Sequence, residues 1–344
     1  MTIFKAIRAT IGRGIAPVMF ASAITLTVGN ASAEVVKIGV SRVASSGAVY
    51  LAVENGYFKE QGLEPQLVFF DAAQPIAVAA ASGDIDFGST ALTAGFYTMA
   101  GQGVLKIIAA QSHERPGYQS NAFIASNKAY DAGFRSLGDM KGKSVGVNAV
   151  GSSTHYSLGL MADKYKVSLD QIRVVPLQTF SNQVSALRGS QVDSIVIPST
   201  IANPLVRNGE AHLLAYVGDE TPWQIGALFT ATKTAKERPE FIKRFLTAYR
   251  KGTNAFHDAF AGADGKSTEG PEAQKIIGVL AKYTNQTPES LKDSIPFMAT
   301  DGRLDVPDIF HQVEWYKMHK LLAQSIDAKK VIDENFVLPM DAPN

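Results

Sequence analysis

Strands and helices alternate along this chain in a series that runs once, ends, and begins again. That alternation restricts the fold to parallel sheets covered by helices on both faces. The first series opens with the apolar strand EVVKIGVS (34–41). The helix AVYLAVENGYFKEQG follows, with Tyr50, Leu51, Val53, Tyr57 and Phe58 at its apolar positions and Gly62 as its stop. Next come the strand PQLVFFD (65–71), a helix QPIAVAAASG ending at Gly83, the short strand IDFGS, a helix from Thr90 to about Gly101, and the strand VLKIIAAQ (104–111). The series restarts with KSVGVNAV (143–150) and the helix GSSTHYSLGLMADKYK. It continues through IRVVPLQ (172–178), the helix NQVSALRG ending at Gly189, VDSIVIPS (192–199), the helix TIANPLVRNG and the strand AHLLAYVG (211–218).

The two series echo each other in sequence. Ala81-Ser82-Gly83-Asp84-Ile85-Asp86 leads to Ser89-Thr90, and Leu187-Arg188-Gly189-Ser190-Gln191-Val192-Asp193 leads to Ser199-Thr200. In both, a helix stops at Gly, a turn Asp opens a short buried strand, and hydroxyl residues stand where that strand ends. Two similar lobes account for this better than chance. Beyond Trp223, IGALFTATK (225–233) reads as one more strand, and the rest is mostly helical, with proline near several helix starts, where its missing N–H costs nothing. Such a tail packs most simply on the first lobe.

The amino terminus reads as an export signal. Lys5, Arg8 and Arg13 precede an apolar run from Ile15 to Val28, and Ala31-Ser32-Ala33 forms an A-x-A site before Glu34. The run contains Pro17 and falls short of the roughly 20 residues that span a bilayer. Cleavage after Ala33 removes three basic and no acidic residues, so the 33 Lys+Arg and 32 Asp+Glu of the whole chain become a slight acidic excess. That balance excludes a broad nucleic-acid or anionic-membrane surface. With no cysteine, the chain can form no disulfide, thiolate zinc site or cysteine nucleophile, and it lacks the cysteine of a bacterial lipoprotein. A freely diffusing periplasmic protein is expected.

Several segments together resemble the periplasmic substrate-binding proteins of ABC importers, in the group that takes taurine, alkanesulfonates, nitrate and thiamine precursors. They are the strand IGV with YLAVENGYFKEQGLEPQLV, then ASGDIDFGST, SLGDMKGKSVGV, GSSTHYSL and ALRGSQVDSIV, all within about residues 35–260. The resemblance implies an α/β, two-lobed, type II-like binding-protein fold: two doubly wound sheets joined by two hinge strands, with ligand held in the cleft. On that pattern residues 1–33 are the signal peptide, 34–122 and 226–344 form lobe 1, and 123–225 form lobe 2. Crossings are expected near Asn121–Ser126 and Gln224–Thr230.

The carboxyl ends of parallel strands, and the helix starts after them, face such a cleft. Four places qualify: Ser41-Arg42-Val43-Ala44-Ser45-Ser46-Gly47, Gly88-Ser89-Thr90, Gly151-Ser152-Ser153-Thr154-His155 and Ile197-Pro198-Ser199-Thr200. Hydroxyls and free N–H groups at a helix start attract an oxyanion, though the same Ser and Thr also read as ordinary N-caps. Arg42 is the first candidate for a countercharge, because a guanidinium fork binds planar oxyanions in two places. Arg115 is the second, and a surface position is the plainer fate of either. Phe70, Tyr97, Tyr118, Tyr156, Phe180 and Trp223 are candidate aromatic walls, with Trp223 favoured beside a crossing. His155 either hydrogen-bonds ligand or is a polar residue of the first helical turn. The expected ligand-binding set is therefore Arg42, Ser45, Ser46, Ser89, Thr90, Ser152, Ser153, Thr154, His155, Ser199 and Trp223.

An exported hydrolase is the first rival, but G-x-S-x-G, H-E-x-x-H and S-x-x-K are absent in useful context. His311, Glu314 and Trp315 share a face of one expected helix, without zinc spacing. An enzyme built on the same two-lobed fold is a further alternative, against which the export signal argues. A sensor module would need a membrane anchor. The expectation is a monomeric binding protein without catalysis, cofactor or metal. It would capture a small organic anion, a sulfonate or carboxylate, and deliver it to an ABC permease with a cytoplasmic ATPase. It would touch the membrane only through that permease and bind no nucleic acid.

Overall fold

The computed structural model describes residues 33–340. The expected signal peptide, apart from Ala33, lies outside the described residues, as do residues 341–344. The strands are β1 (Glu34–Val40), β2 (Leu63–Phe69), β3 (Phe87–Ala91), β4 (Leu105–Glu114), β5 (Asn121–Ser126), β6 (Ser144–Val147), β7 (Arg173–Pro176), β8 (Ser194–Pro198), β9 (Ala211–Tyr216) and β10 (Trp223–Ala231). They form two five-stranded sheets in the orders β2-β1-β3-β10-β4 and β7-β6-β8-β5-β9. The expected α/β fold with two sheets is therefore present, and the two sheets share one topology.

Each sheet is mixed rather than wholly parallel. β1 runs parallel to β2 and β3, and β6 to β7 and β8. β10 runs antiparallel to β3 and β4, and β5 to β8 and β9. These are the strands on which the chain arrives from the other sheet. Each enters at the end where its parallel neighbours leave, so it must run against them. The stretches 121–126 and 224–230, expected as crossings, lie inside β5 and β10. The chain passes between the sheets at 115–120 and 217–222 instead. These two connections touch: a Cβ on Gly218 would lie 2.5 Å from the Arg115 carbonyl oxygen, and Gly117 N–H donates to Asp219 Oδ1 at 2.8 Å.

The echoed turn has one job in both halves. Asp86 Oδ2 accepts the Lys37 N–H at 2.9 Å, and Asp193 Oδ2 accepts the Ser144 N–H at 2.7 Å; the partners are 49 residues apart in each case. The Asp86 and Asp193 N–H groups return bonds to the Lys37 and Ser144 carbonyls. Each turn carboxylate thus satisfies the strand beside it and fixes where the next strand begins. The halves differ in the stop before that turn. Gly83 takes the left-handed conformation, φ 86, whereas in the second half Ser190, φ 53, takes it in place of Gly189.

The tail does two things. Helix Pro239–Phe260 lies against helix Gly47–Glu54 so closely that a Cβ on Gly252 would be 2.2 Å from the Ala48 carbonyl oxygen. Helix Val306–Met318 touches both halves. Tyr97, on helix Ala94–Gly101, donates its hydroxyl to Gln312 Oε1 at 2.9 Å. On the other side Trp315 fills a notch left by Gly159 of helix Ser153–Lys164, where a Cβ would fall 2.1 Å from the indole. Trp315 is buried while His311 and Glu314, on the same side of the helix, are exposed.

Candidate binding cavity

Where the parallel strands of both sheets end, and where β5 and β10 begin, the structure encloses a cavity of about 520 Å³. The expected strand ends all reach its wall, but side-chain direction divides the residues on them. Ser45, Thr90, Ser152, Ser153, Thr154 and Trp223 line it. Thr200 lines it too, although Ser199 was the residue expected from that pair.

The remaining candidates turn elsewhere. Arg42 Nη1 donates to the Tyr283 carbonyl at 3.0 Å, and its guanidinium lies 3.8 Å from the centre of the Phe69 ring, outside the cavity. Ser46 is buried and donates to the Ser41 carbonyl at 3.0 Å. Ser89 is buried and accepts from Gln111 Nε2 at 3.2 Å. Ser199 is fully buried. His155 accepts the Gly151 N–H at Nδ1, 3.0 Å, and sets its ring edge against Trp315. Burial pushes its pKa down to about 4, and the charge of His319 acts the same way. Its Nδ1 thus pins the turn at Gly151. Arg115 stacks on Phe297 at 4.4 Å.

Two of the lining hydroxyls belong to the turn itself. Ser152 Oγ accepts the His155 N–H as the helix cap and lies 2.9 Å from Thr154 Oγ1; Thr154 Oγ1 in turn accepts the Asn148 N–H. Those of Ser45, Thr90, Ser153 and Thr200 make no hydrogen bond to another described residue, and they come from four separate segments. Of the aromatic candidates, Phe180 and Trp223 line the cavity, and Trp223 is braced edge-on by Tyr156 at 5.1 Å. Tyr97 and Tyr156 are core residues, and Tyr118 packs on Phe297.

Sequence reasoning did not reach Asp71, Gln74, Asn121, Asn148, Gln178 and Ser294, which also line the cavity. The strand-end rule would have found Asp71, Gln74 and Asn148, which follow β2 and β6. Gln178 holds a left-handed backbone, φ 66, a conformation uncommon outside glycine. Asp71 is exposed at the edge, and among the described lining residues it is the one ionisable side chain; Arg, Lys and His are not found on that wall.

The architecture is that of periplasmic binding proteins. The alkanesulfonate-binding protein SsuA of Xanthomonas axonopodis pv. citri, solved bound to MOPS, superposes with a TM-score of 0.67 at 17% identity, over 87% of this chain and 98% of that one. The ligand-binding component of an ABC-type import system from Staphylococcus aureus gives 0.71 at 14%, over 88% and 97%. The nitrate-binding protein NrtA of Synechocystis PCC 6803 gives 0.68 at 11%, over 88% and 86%. Residues 44–259, well over half of the chain, match the family described as NMT1/THI5 like, and the chain belongs to that family. A protein of Brucella abortus strain 2308 named "putative binding protein", a name that gives no cargo, is 29% identical over 203 residues, 57% of this chain. The match spans 58% of the length of that curated relative.

Proposed function

We propose that the chain is the ligand-binding component of an ABC importer, exported to the periplasm, that holds a small organic molecule between its sheets and delivers it to a membrane permease. The observation that carries this reading is the set of unpartnered hydroxyls facing one cavity from both halves: Ser45 and Thr90 from the first, Ser153 and Thr200 from the second. A ligand that meets both sets favours the arrangement in which the sheets are drawn together, and that arrangement is the natural signal to a permease. Asp71 alone offers no nucleophile–base pair on the wall, so the role is capture without turnover.

The cargo class is a small sulfonate or carboxylate, met by hydroxyls and by N–H groups at the helix start near Ser153, with no guanidinium. Its organic body packs on Phe180, Trp223, Val196 and Pro198. Asp71 at the edge repels a second negative charge, so monoanions are preferred over dianions. A neutral ligand is the second reading, favoured by the wall's lack of basic side chains.

The test is a thermal-shift screen of residues 34–344 with sulfonates, carboxylates, nitrate and neutral heterocycles. Cargo at a hundredfold excess over its dissociation constant adds about 2.7 kcal/mol, a rise of several degrees. A rise with monoanions alone, unchanged by Arg42→Ala and lost in the Ser45→Ala, Ser153→Ala double variant, supports the first reading. A rise with neutral compounds alone replaces it with the second. Silence throughout, or turnover of the compound that binds, overturns the importer reading.

A further inference from the structure

Glu114 ends β4 where the two connections between the sheets touch, and it is 1% exposed. Its neighbours come from both connections. Oε1 accepts a 2.6 Å hydrogen bond from Asn121 Nδ2, at the start of β5. In the ladder between β4 and β10, Glu114 stands opposite Trp223. Asn121 and Trp223 both line the cavity. The other carboxyl oxygen, Oε2, is buried with no partner among the described residues. An ionised carboxylate with one bare oxygen in such a place is costly, and a neutral acid much less so.

We propose that Glu114 is a positioning residue of the cavity wall: as a neutral acid it packs between the two connections and holds the Asn121 side chain, and on ionising it keeps the Asn121 bond while its bare Oε2 forces the connections apart to admit a donor. The assignment rests on the cavity being a binding site. Burial pushes this carboxyl up to about 8, the Asn121 amide and the nearby backbone N–H groups of Asn121 and Gly218 pull it down, and the charge of Asp219 adds to the rise. The other charged groups nearby do not offset it. Burial pushes the neighbouring His113 down to about 3, so it stays neutral. Arg115 turns its guanidinium onto Phe297, and Glu220 is held by Lys164 and Tyr165.

The experiment is a pH titration of the full chain labelled with ¹³C at the glutamate carboxyls, with no cargo present. One glutamate signal is expected to titrate near 8 and to be missing from Glu114→Gln. Trp223 and Trp315 are the two tryptophans. In a Trp315→Phe background, Trp223 emission should change with that same midpoint and lie flat once Glu114→Gln is added. A Glu114 signal in the ordinary carboxylate range overturns the proposal, as does an emission curve that Glu114→Gln leaves unchanged. The carboxyl titration needs no change at Trp315, so it decides the matter even if that variant fails to fold. Because neither measurement involves cargo, a failure here leaves the binding reading to its own screen.

Discussion

Glu114 and Asp308 are both carboxyls sunk into places where the two halves are tied together, and their surroundings satisfy them to different degrees. At the connections, Glu114 receives one side-chain hydrogen bond and keeps a bare oxygen. At the seam made by helix Val306–Met318, Asp308 Oδ2 accepts the Gln224 N–H and Gln312 Nε2, each at 2.8 Å, and the Tyr156 hydroxyl reaches Oδ1 at 3.4 Å. Burial raises both pKa values, to about 8 for Glu114 and about 6 for Asp308. In both, burial favours the neutral acid and the donors around the carboxyl oppose it. The two places differ in what a close approach meets as well. At the connections Gly218 lies against the Arg115 backbone, whereas at the seam Gly159 lies against the Trp315 side chain.

The largest effect should come from crowding the backbone contact. In Gly218→Ala the new methyl meets the Arg115 backbone, which has nowhere to move. A loss of about 3 kcal/mol or more is expected in urea unfolding, and a loss under about 1 would show that the connections are not tightly joined. Gly159→Ala strikes the Trp315 ring instead, and a side chain can partly yield. Its expected cost is smaller, about 1–3 kcal/mol by the same measurement.

Asp308→Asn sharpens the comparison through pH. The folded pKa of Asp308, about 6, lies above its ordinary 3.8, so the stability tied to its proton is full below the ordinary value and lost as pH rises through the folded one. Asparagine carries no such loss. The deficit of the variant should narrow by on the order of 2 kcal/mol between acid and neutral pH, and equal deficits at both would sink the assignment. The smallest effects separate cap from wall. Ser152→Ala should cost about 1 kcal/mol in thermal unfolding, because its hydroxyl caps a helix. Ser153→Ala should stay within about 0.5 kcal/mol, and a larger loss would mean that its hydroxyl has a structural partner.

The repeat was legible because it is made of backbone logic. Asp86 and Asp193 announce their turns in sequence, and each closes the same pair of bonds 49 residues away. The strand ends that reach the cavity were legible for the same reason. What could not be read was which way a side chain points. In each of the pairs Ser45/Ser46, Ser89/Thr90 and Ser199/Thr200, one member lines the cavity and the other does not. Ser89 and Thr90 lie on a strand, where neighbours face opposite sides, while Ser45/Ser46 and Ser199/Thr200 lie on helical turns, where neighbours point in different directions around the axis; sequence does not fix which member faces inward. Arg42 was misjudged by the same limit: nothing local reveals that the Tyr283 carbonyl and the Phe69 ring wait on its outer side. Ser294 lay beyond reach altogether, because it is brought to the wall by the far end of the chain.

The place of β10 between β3 and β4 also sets an order of assembly. The strands of the second sheet are contiguous, residues 121–216, whereas the first sheet keeps an empty slot until residue 231 has been made. As the chain grows from its amino terminus, the later sheet can be completed before the earlier one. Throughout that interval the apolar strand LKIIAAQSHE has no neighbour in its own sheet and offers a bare edge to any other strand it meets. A chain halted just short of Trp223 would keep that edge for good, with one finished half and one that can never close.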